Sequence, residues 1–267
     1  MTSAFTSAGP SRPTVIAHRG GALLGPENTA ATFALAAAAG ADVLETDLRL
    51  SRDGHLVCLH DADLRRLTGD AGAVADTDLT TLRTLLPELL TLDEAVAASK
   101  PLGLLLDVKL LDEAVLPPIL AAIEAAGAGR RCLLGLRDTA LIVAARALDP
   151  AIGILAFASD PDSAPAARAA GADWFRLWQG EATPERIAAI RAAGLTAAIM
   201  VGQPRSVAEQ GYPPFPVGSI DAEGIDQVLA LRPDAVLLDD PRLLTGARGV
   251  TSLSSNGGMA GASYARG

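Results

Sequence analysis

The chain contains few of the residues on which several common classes of protein depend. It has two cysteines in 267 residues, Cys58 and Cys132, which does not support a disulfide framework. Both lie in apolar runs, where a small buried thiol is the expected state. Aromatic residues make up only 3% of the sequence, so we expect helices packed mainly through small aliphatic side chains. No apolar run reaches the roughly 18 residues that a membrane span requires.

Positive charge is also scarce. The 22 Lys and Arg residues are outnumbered by 31 Asp and Glu, the formal net charge is -9, and no basic stripe is present. Because clustered Lys and Arg are needed to displace the counterions of nucleic acids, we expect no nucleic-acid partner. Residues 1–14 contain no apolar core of the kind found in a signal peptide. We therefore expect a soluble, cytoplasmic protein with no stable membrane association.

Apolar runs typical of strands alternate with Ala-rich helical runs over most of the chain. Eight strand units are predicted, at Val15–Ala17, Val43–Leu50 together with Leu56–Leu59, Leu102–Val108, Cys132–Gly135, Ile152–Phe157, Trp174–Leu177, Thr196–Val201 and Ala235–Leu238. Among the predicted helices are Ala30–Ala39, Glu113–Ala126, Ala140–Leu148 and Pro184–Ala193. Eight such units close naturally into an α/β fold, the (β/α)8 TIM barrel. A doubly wound open sheet is the alternative, but no GxGxxG follows the first strand.

The alternation predicts one barrel domain over residues 14–247, with a flexible leader at 1–13 and a flexible tail at 248–267. Three similar segments, Ala36–Asp47, Ala166–Leu177 and Arg191–Val201, support the repeating unit. In each segment a helix ends at a glycine and a strand begins almost at once. The Pro- and Gly-rich residues Gly202–Asp221 are predicted to form a long loop on the functional face.

Ionisable residues follow or interrupt the early apolar runs. Two of the three histidines, His18 and His60, end such runs, and Glu45 and Asp47 lie within another. The C-terminal ends of barrel strands are where this fold builds its sites. Cleavage of a P–O bond needs a base and an acid, tasks that two imidazoles can divide, and Arg19 could hold two phosphate oxygens. The pattern indicates phosphodiester hydrolysis.

The two carboxylates lie at alternate positions of one strand, so both side chains point to the same face. Inside a barrel, Glu45 and Asp47 need a proton or a cation, and Ca²⁺ or Mg²⁺ suits oxygen ligands. A salt bridge to Arg49 or Lys109 is the alternative, and the spacing does not choose between them. Asp107 and Lys109 form a second i, i+2 pair, for which the residues alone favour a self-neutralising ion pair.

A longer series of motifs runs through the chain. In order they are HRG at His18–Gly20, PENT at Pro26–Thr29, ETD at Glu45–Asp47, SRDGHLVCLHD at Ser51–Asp61, LRRLTG at Leu64–Gly69, TLDEAV at Thr91–Val96, DVK at Asp107–Lys109 and DAVLLDDP at Asp234–Pro241. Together they resemble the glycerophosphodiester phosphodiesterase family over nearly the whole predicted barrel. The resemblance implies a TIM-barrel enzyme that hydrolyses a small-molecule glycerophosphodiester to glycerol 3-phosphate and an alcohol.

The resemblance also implies roles for particular residues. The implied ligands of one divalent cation, Ca²⁺ or Mg²⁺, are Glu45, Asp47 and Asp107. The implied acid–base residues are His18 and His60, for which we take His18 as the base and His60 as the acid. The implied phosphate contacts are Arg19 and Lys109. Glu27 is expected to support the site, while Asn28 and Thr29 are expected to cap the first helix.

Departures from the family pattern concern the substrate. The third acid is Asp107 where the family usually has Glu, as in related sphingomyelinase D-type barrels, and the segment between Leu79 and Leu92 is short. The seventh strand unit ends without the family's Trp-Thr pair, so an aromatic wall is missing there, and the fourth ends in LRD instead of Ser-Phe. A lysophospholipase D or sphingomyelinase D-like activity is therefore the alternative, with residues 202–221 as the candidate apolar lid.

Two other functions for a barrel are disfavoured. A barrel that only binds phosphorylated ligands is disfavoured, because such a protein would not need an ionisable residue at each position that hydrolysis requires. A Schiff-base aldolase using Lys109 would leave both histidines without a role. Small water-soluble diesters are expected to be better substrates than lysophospholipids, because no strongly amphipathic surface element is present.

Overall fold

The computed structural model describes residues 12–204 and 210–246. Within them lie nine strands: β1 Thr14–Ala17, β2 Val43–Leu50, β3 Leu56–Cys58, β4 Gly103–Val108, β5 Cys132–Leu136, β6 Gly153–Ala156, β7 Trp174–Trp178, β8 Thr196–Met200 and β9 Ala235–Leu238. Each predicted strand unit is present, with ends that differ by at most one residue. Residues 1–11 of the predicted leader and the whole predicted tail lie outside the described residues.

Eight of these strands form a closed parallel barrel. The strands follow one another around it as β1, β2, β4, β5, β6, β7, β8 and β9, and β9 pairs with β1 to close the ring. Strand β3 pairs antiparallel with the end of β2, with Leu48 opposite Cys58, so it extends one barrel strand into a hairpin. The TIM-barrel prediction is confirmed, as is the treatment of the β2 and β3 runs as one unit.

Helices connect the strands on the outside of the barrel. They are α1 Ala30–Ala38, α2 Arg65–Thr68, α3 Leu79–Leu85, α4 Leu92–Ala98, α5 Leu116–Ala125, α6 Thr139–Leu148, α7 Ala164–Ala170, α8 Pro184–Ala192, α9 Ala222–Ala230 and α10 Arg242–Thr245. The predicted helix Glu113–Ala126 divides into a short 3₁₀ turn, Glu113–Val115, and α5. Prolines at the start of α5, α7 and α8 occupy positions whose N–H has no partner within a helix.

Alternation along the strands separates two apolar layers. Side chains on the barrel interior include Ile16, Val43, Leu105, Trp174 and Leu237, whereas their sequence neighbours pack between the sheet and the helices. Because Val43 faces inward, the period of two also turns Glu45 and Asp47 inward, as expected. By the same rule Leu105 is followed by Asp107, and Trp174 by Arg176, on the interior face.

The composition-based expectations for cysteine are met within the described residues. Cys58 and Cys132 are both buried free thiols. Burial raises the pKa of Cys58 to about 12, so this thiol stays protonated and unreactive at neutral pH. Across residues 12–204 and 210–246, no helix has the length and apolar content needed to cross a membrane.

Candidate active site at the C-terminal ends of the strands

The C-terminal ends of the barrel strands surround a cavity of about 750 Å³. Six of the eight predicted site residues line it: His18, Arg19, Glu45, His60, Asp107 and Lys109. The other two, Asp47 and Glu27, are adjacent to it through contacts with Lys109 and Arg19. The predicted loop after β8 also reaches this face, since Pro204, Pro216 and Val217 line the cavity. Residues 205–209 of that loop lie outside the described residues.

A tight 3₁₀ turn, His18–Gly20, follows β1 directly. Arg19 has φ +50°, a left-handed conformation that is uncommon for a residue with a side chain. Gly20 has φ +76°, and a Cβ there would lie 2.5 Å from Phe33 Cδ1, so the turn requires glycine. The turn directs the backbone N–H of Arg19 to Glu45 Oε2 at 2.6 Å, which ties the end of β1 to the acids of β2.

His18 is buried and contacts an acid that the sequence analysis did not identify. Its Nδ1 lies 2.6 Å from Asp239 Oδ1, in the residue that follows β9. Burial disfavours the imidazolium, but the hydrogen bond to Asp239 and the negative charge of Glu45 outweigh burial and raise the pKa of His18. The protonated form of His18 is therefore favoured.

His60 follows β3 and has the opposite tendency. Its Nδ1 lies 2.7 Å from Asp61 Oδ1, and its carbonyl oxygen accepts a hydrogen bond from Arg49 Nε at 2.8 Å. Burial lowers the pKa of His60, and the attraction of Asp47 does not offset this effect. The neutral form of His60 is favoured, so the two pKa directions support the reverse of our sequence-based assignment of base and acid.

Three inward carboxylates lie close together inside the barrel. Glu45, Asp47 and Asp107 have ligand oxygens within 4.8 Å of one another, because Asp47 and Asp107 are register partners on β2 and β4. Burial and the neighbouring charge of Asp47 raise the pKa of Glu45 to about 8. Burial opposes ionisation of Asp47, but the positive charge of Lys109 outweighs it and lowers the pKa of Asp47. Ionisation is thus disfavoured at Glu45 but favoured at Asp47 and Asp107.

Two cations contact the acids directly. Lys109 Nζ lies 2.8 Å from Asp47 Oδ1 and 2.5 Å from Asp107 Oδ2. Arg137, which follows β5, donates to both oxygens of Asp107. Of the two predicted salt-bridge partners, Lys109 therefore forms the bridge, whereas Arg49 binds the backbone of His60. Asp107 accepts three hydrogen bonds of the approximately four that a carboxylate can accept.

The PENT segment, Pro26–Thr29, contacts residues of the site. Glu27 binds Arg19 at 3.0 Å and Arg66 at 2.6 Å, and both of these arginines line the cavity. Thr29 caps α1, as predicted, by accepting from the backbone of Thr32. The expectation for Asn28 was wrong: its side chain turns inward and donates to Asp47 Oδ2 at 3.0 Å. A buried carboxylate offers a stronger acceptor than a helix end that Thr29 already caps.

Comparison with known proteins agrees with this geometry. Residues 18–242 match the model of the glycerophosphoryl diester phosphodiesterase family. The chain belongs to this family. Among curated relatives, "Probable glycerophosphodiester phosphodiesterase 1" of Mycobacterium tuberculosis is 51% identical over 73 residues. That alignment spans 27% of this chain and 27% of the relative, so the chain aligns with about a quarter of the length of that curated protein.

Solved structures of the glycerophosphodiester phosphodiesterase type share the fold. The enzyme of Agrobacterium tumefaciens has a TM-score of 0.70 at 23% identity, over 87% of this chain and 99% of that one. A phosphodiesterase of Oleispira antarctica, solved in complex with the product sn-glycerol-3-phosphate, has a TM-score of 0.69 at 25% identity. The matched parts cover 88% of this chain and 96% of that one.

Some residues that line or complete the cavity of this family member escaped the sequence analysis. They are Asp239, Arg137 and Arg176, each at or near the C-terminal end of a barrel strand. That position is the signal that could have identified them. The seventh strand unit, which is β8 in the structure, lacks the family's aromatic wall, but Trp178 of β7 and Phe157 after β6 contribute aromatic side chains to the cavity.

Proposed function

We propose that the protein hydrolyses glycerophosphodiesters to glycerol 3-phosphate and an alcohol with the help of one divalent cation, Ca²⁺ or Mg²⁺. The observation that carries this proposal is the convergence of two imidazoles, three carboxylates and two cationic side chains on one cavity. Membership of the glycerophosphoryl diester phosphodiesterase family supports the reaction. The Oleispira relative with bound glycerol 3-phosphate supports the product.

The acid set fits a divalent cation. Glu45, Asp47 and Asp107 offer hard oxygen ligands, and burial together with the charge of Asp47 raises the pKa of Glu45, a cost of ionisation that a bound cation would offset. Among the described residues, Asp47 Oδ1 is buried without a well-aligned hydrogen bond, although Lys109 lies close to it. A cation held by these three acids would neutralise charge that develops on the phosphate oxygens and the departing oxygen.

The two histidines transfer the protons in this proposal. We assign His60, whose neutral form is favoured, as the base that takes the proton of the attacking hydroxyl. We assign His18, whose protonated form is favoured, as the acid that gives its proton to the departing alkoxide. Asp239 orients the ring of His18 and stabilises its imidazolium. This division serves direct attack by water. If the glycerol hydroxyl of the substrate attacks instead, a cyclic phosphate forms, and water must then open it with His18 as the base and His60 as the acid.

Phosphate binding falls to Arg19 and Lys109. Both line the cavity, and both are held in place by acids, Arg19 by Glu27 and Lys109 by Asp47. A planar guanidinium can bind two phosphate oxygens at once, while an ammonium acts as a point charge. Together they would hold the diester with its phosphorus between the two histidines.

One assay tests the proposed function. Release of glycerol 3-phosphate should be measured from glycerophosphocholine, glycerophosphoethanolamine and a lysophospholipid, with and without a chelator. We expect hydrolysis of the small diesters, weaker activity on the lysophospholipid, and loss of activity after chelation. Faster cleavage of the lysophospholipid would favour a lysophospholipase D, and no release from any diester would refute the proposal.

The substitution Asp239→Asn tests the acid role of His18. Because Asp239 helps to raise the pKa of His18, its removal should lower that pKa. An acid works only below its pKa, so the basic limb of the pH profile of kcat/KM should move to lower pH while the acidic limb stays in place. The matched control is Asp61→Asn: Asp61 raises the pKa of His60, so its removal should shift the acidic limb to lower pH instead. A shift of the acidic limb in Asp239→Asn would reverse the two assignments.

The substitution Asp107→Asn tests whether Asp107 binds the cation. Removing one charged ligand should raise the concentration of Mg²⁺ or Ca²⁺ for half-maximal activity by about tenfold or more, equivalent to ~1.4 kcal/mol of binding free energy. Titration of each ion into chelator-treated wild type and variant measures this. If Asp107 serves only as the partner of Lys109 and Arg137, the melting temperature should fall while the activation curves remain superimposable.

A further inference from the structure

An arginine lies inside the barrel where the catalytic proposal gives it no role. On β7 the inward positions are Trp174, Arg176 and Trp178, and Arg176 lines the cavity with only 6% of its surface exposed. Its neighbours Phe175 and Leu177 face the helices and belong to the outer apolar layer. The strand therefore holds a guanidinium in a place where an apolar residue would otherwise complete the core.

The charge of Arg176 is poorly compensated. Within residues 12–204 and 210–246, no carboxylate lies at ion-pair distance from it, although Glu181 attracts it from farther away, and its Nη1 atom is buried without a hydrogen-bond partner. Its guanidinium group lies over two aromatic rings: the guanidinium carbon is 4.4 Å from the Trp178 ring centroid and 5.5 Å from that of Phe157. Burial lowers the pKa of Arg176 to about 10. A bound anion would supply the missing partner.

Arg137, the neighbouring arginine, differs from Arg176 in having an acidic partner. Arg137 also lies over the Phe157 ring, at 5.3 Å, but it is paired with both oxygens of Asp107. Gly135 makes room for this ring, because a Cβ there would lie 2.2 Å from Phe157 Cε2. Phe157 thus packs against β5, and two guanidinium groups lie over its ring. Of these two, Arg176 has no acid at ion-pair distance, whereas Arg137 is paired with Asp107.

The topology places Arg176 across the cavity from the acids. In the closed ring of eight strands, β7 is four strands from β2 in either direction. Glu45 and Asp47 of β2 therefore face the β7 side of the cavity, where Arg176 and Trp178 lie. A diester whose phosphate contacts the residues around β1, β2 and β4 would extend one of its two alcohols toward Arg176.

We propose that Arg176 binds an anionic group on the alcohol moiety of the substrate, so that the protein prefers glycerophosphodiesters whose head group carries a carboxylate. This inference rests on the proposed function and adds the substrate class. A carboxylate matches the fork of the guanidinium, and the flanking Trp178 and Phe157 rings exclude water from the pair. The role is one of substrate specificity, because Arg176 lies outside the groups that transfer protons.

Two substrates that differ by one carboxylate test this specificity. Glycerophosphoserine and glycerophosphoethanolamine share the glycerol, the phosphate and the amine, and only the former carries the carboxylate. For the wild type we expect kcat/KM to be at least about tenfold higher for glycerophosphoserine, since a hydrogen bond to a charged group contributes a factor of about 10 to 100. Equal kcat/KM values, or a preference for glycerophosphoethanolamine, would overturn the inference without any variant.

Variants then assign the preference to Arg176. Arg176→Met should lower kcat/KM for glycerophosphoserine by about 10- to 100-fold, mainly through KM, and change that for glycerophosphoethanolamine by less than about threefold. Arg176→Lys keeps the positive charge but loses the planar guanidinium that can bind both carboxylate oxygens. It should therefore retain part of the preference for glycerophosphoserine. Arg168→Met removes a half-exposed arginine on α7 and controls for net charge. Equal losses on both substrates in Arg176→Met would indicate a structural role only.

Failure of the inference can be distinguished from failure of the proposed function. If the wild type hydrolyses neither diester, the proposed function fails, and calorimetric binding of glycerophosphoserine to wild type and Arg176→Met decides the role of Arg176. Tighter binding of glycerophosphoserine than of glycerophosphoethanolamine, lost in Arg176→Met, would support it. Thermal melting of each variant checks that it is folded, and Arg176→Lys provides the comparison if Arg176→Met does not fold.

Discussion

Replacement of His60 or His18 by alanine is expected to reduce turnover by about 10²- to 10⁴-fold, because each substitution removes a positioned proton-transfer group. The measurement is release of glycerol 3-phosphate under saturating cation. The chain offers a matched control in His55→Ala, since His55 is the third histidine, lies in the turn between β2 and β3, and has 52% of its side chain exposed. We expect His55→Ala to retain wild-type turnover.

The leaving group distinguishes the acid from the base. A p-nitrophenyl diester of glycerol phosphate releases an anion that needs no protonation, so His18→Ala should regain most of its lost activity on this substrate. His60→Ala should remain inactive on it, because the attacking hydroxyl still needs a base. Recovery in His60→Ala and not in His18→Ala would reverse the roles. If either variant kept more than about a tenth of wild-type turnover on glycerophosphodiesters, that histidine would not be a proton-transfer group.

Removal of the divalent cation is expected to abolish activity, and affinity for the cation is expected to depend steeply on pH. Glu45 has a pKa of about 8 in the protein without a cation, so below this pH its carboxyl is mostly protonated. The cation must then displace a proton, which lowers its affinity by about tenfold for each pH unit below the pKa of Glu45. Above that pH the affinity should level off.

Calorimetry in two buffers with different ionisation enthalpies measures the released proton. We expect wild type to release close to one proton for each Mg²⁺ or Ca²⁺ bound near pH 7, and Glu45→Gln to bind more weakly with no such release. Thermal melting gives a readout independent of activity, since a cation at 100 times its Kd should stabilise the fold by about 2.7 kcal/mol. A Kd that stays constant between pH 6 and pH 9 would contradict the assignment of Glu45 as a ligand.

Local patterns in the sequence were sufficient to predict the barrel and its acidic face. The period of two in VLETDLRL placed Glu45 and Asp47 on the interior, because neighbouring leucines had to pack against helices on the other side. Glycines at helix ends correctly marked the start of new strands, as at Gly40 and Gly171, both with positive φ. These features depend on residues a few positions apart, so they can be predicted from the sequence without knowledge of the tertiary structure.

The partners of the site residues were decided only by the tertiary structure. Closure of the ring brings β9 beside β1, and this puts Asp239 on His18 although 221 positions separate them. Pairing of β5 with β4 places Arg137 on Asp107, and the barrel interior leaves Arg176 among aromatic rings. The favoured protonation states of His18 and His60 follow from burial and from distances to charges, which residue type does not specify. Sequence alone thus determined that the two histidines and the acids of β2 and β4 lie at one end of the barrel. Tertiary packing determined their charge and added Asp239, Arg137 and Arg176, because both depend on contacts between distant segments.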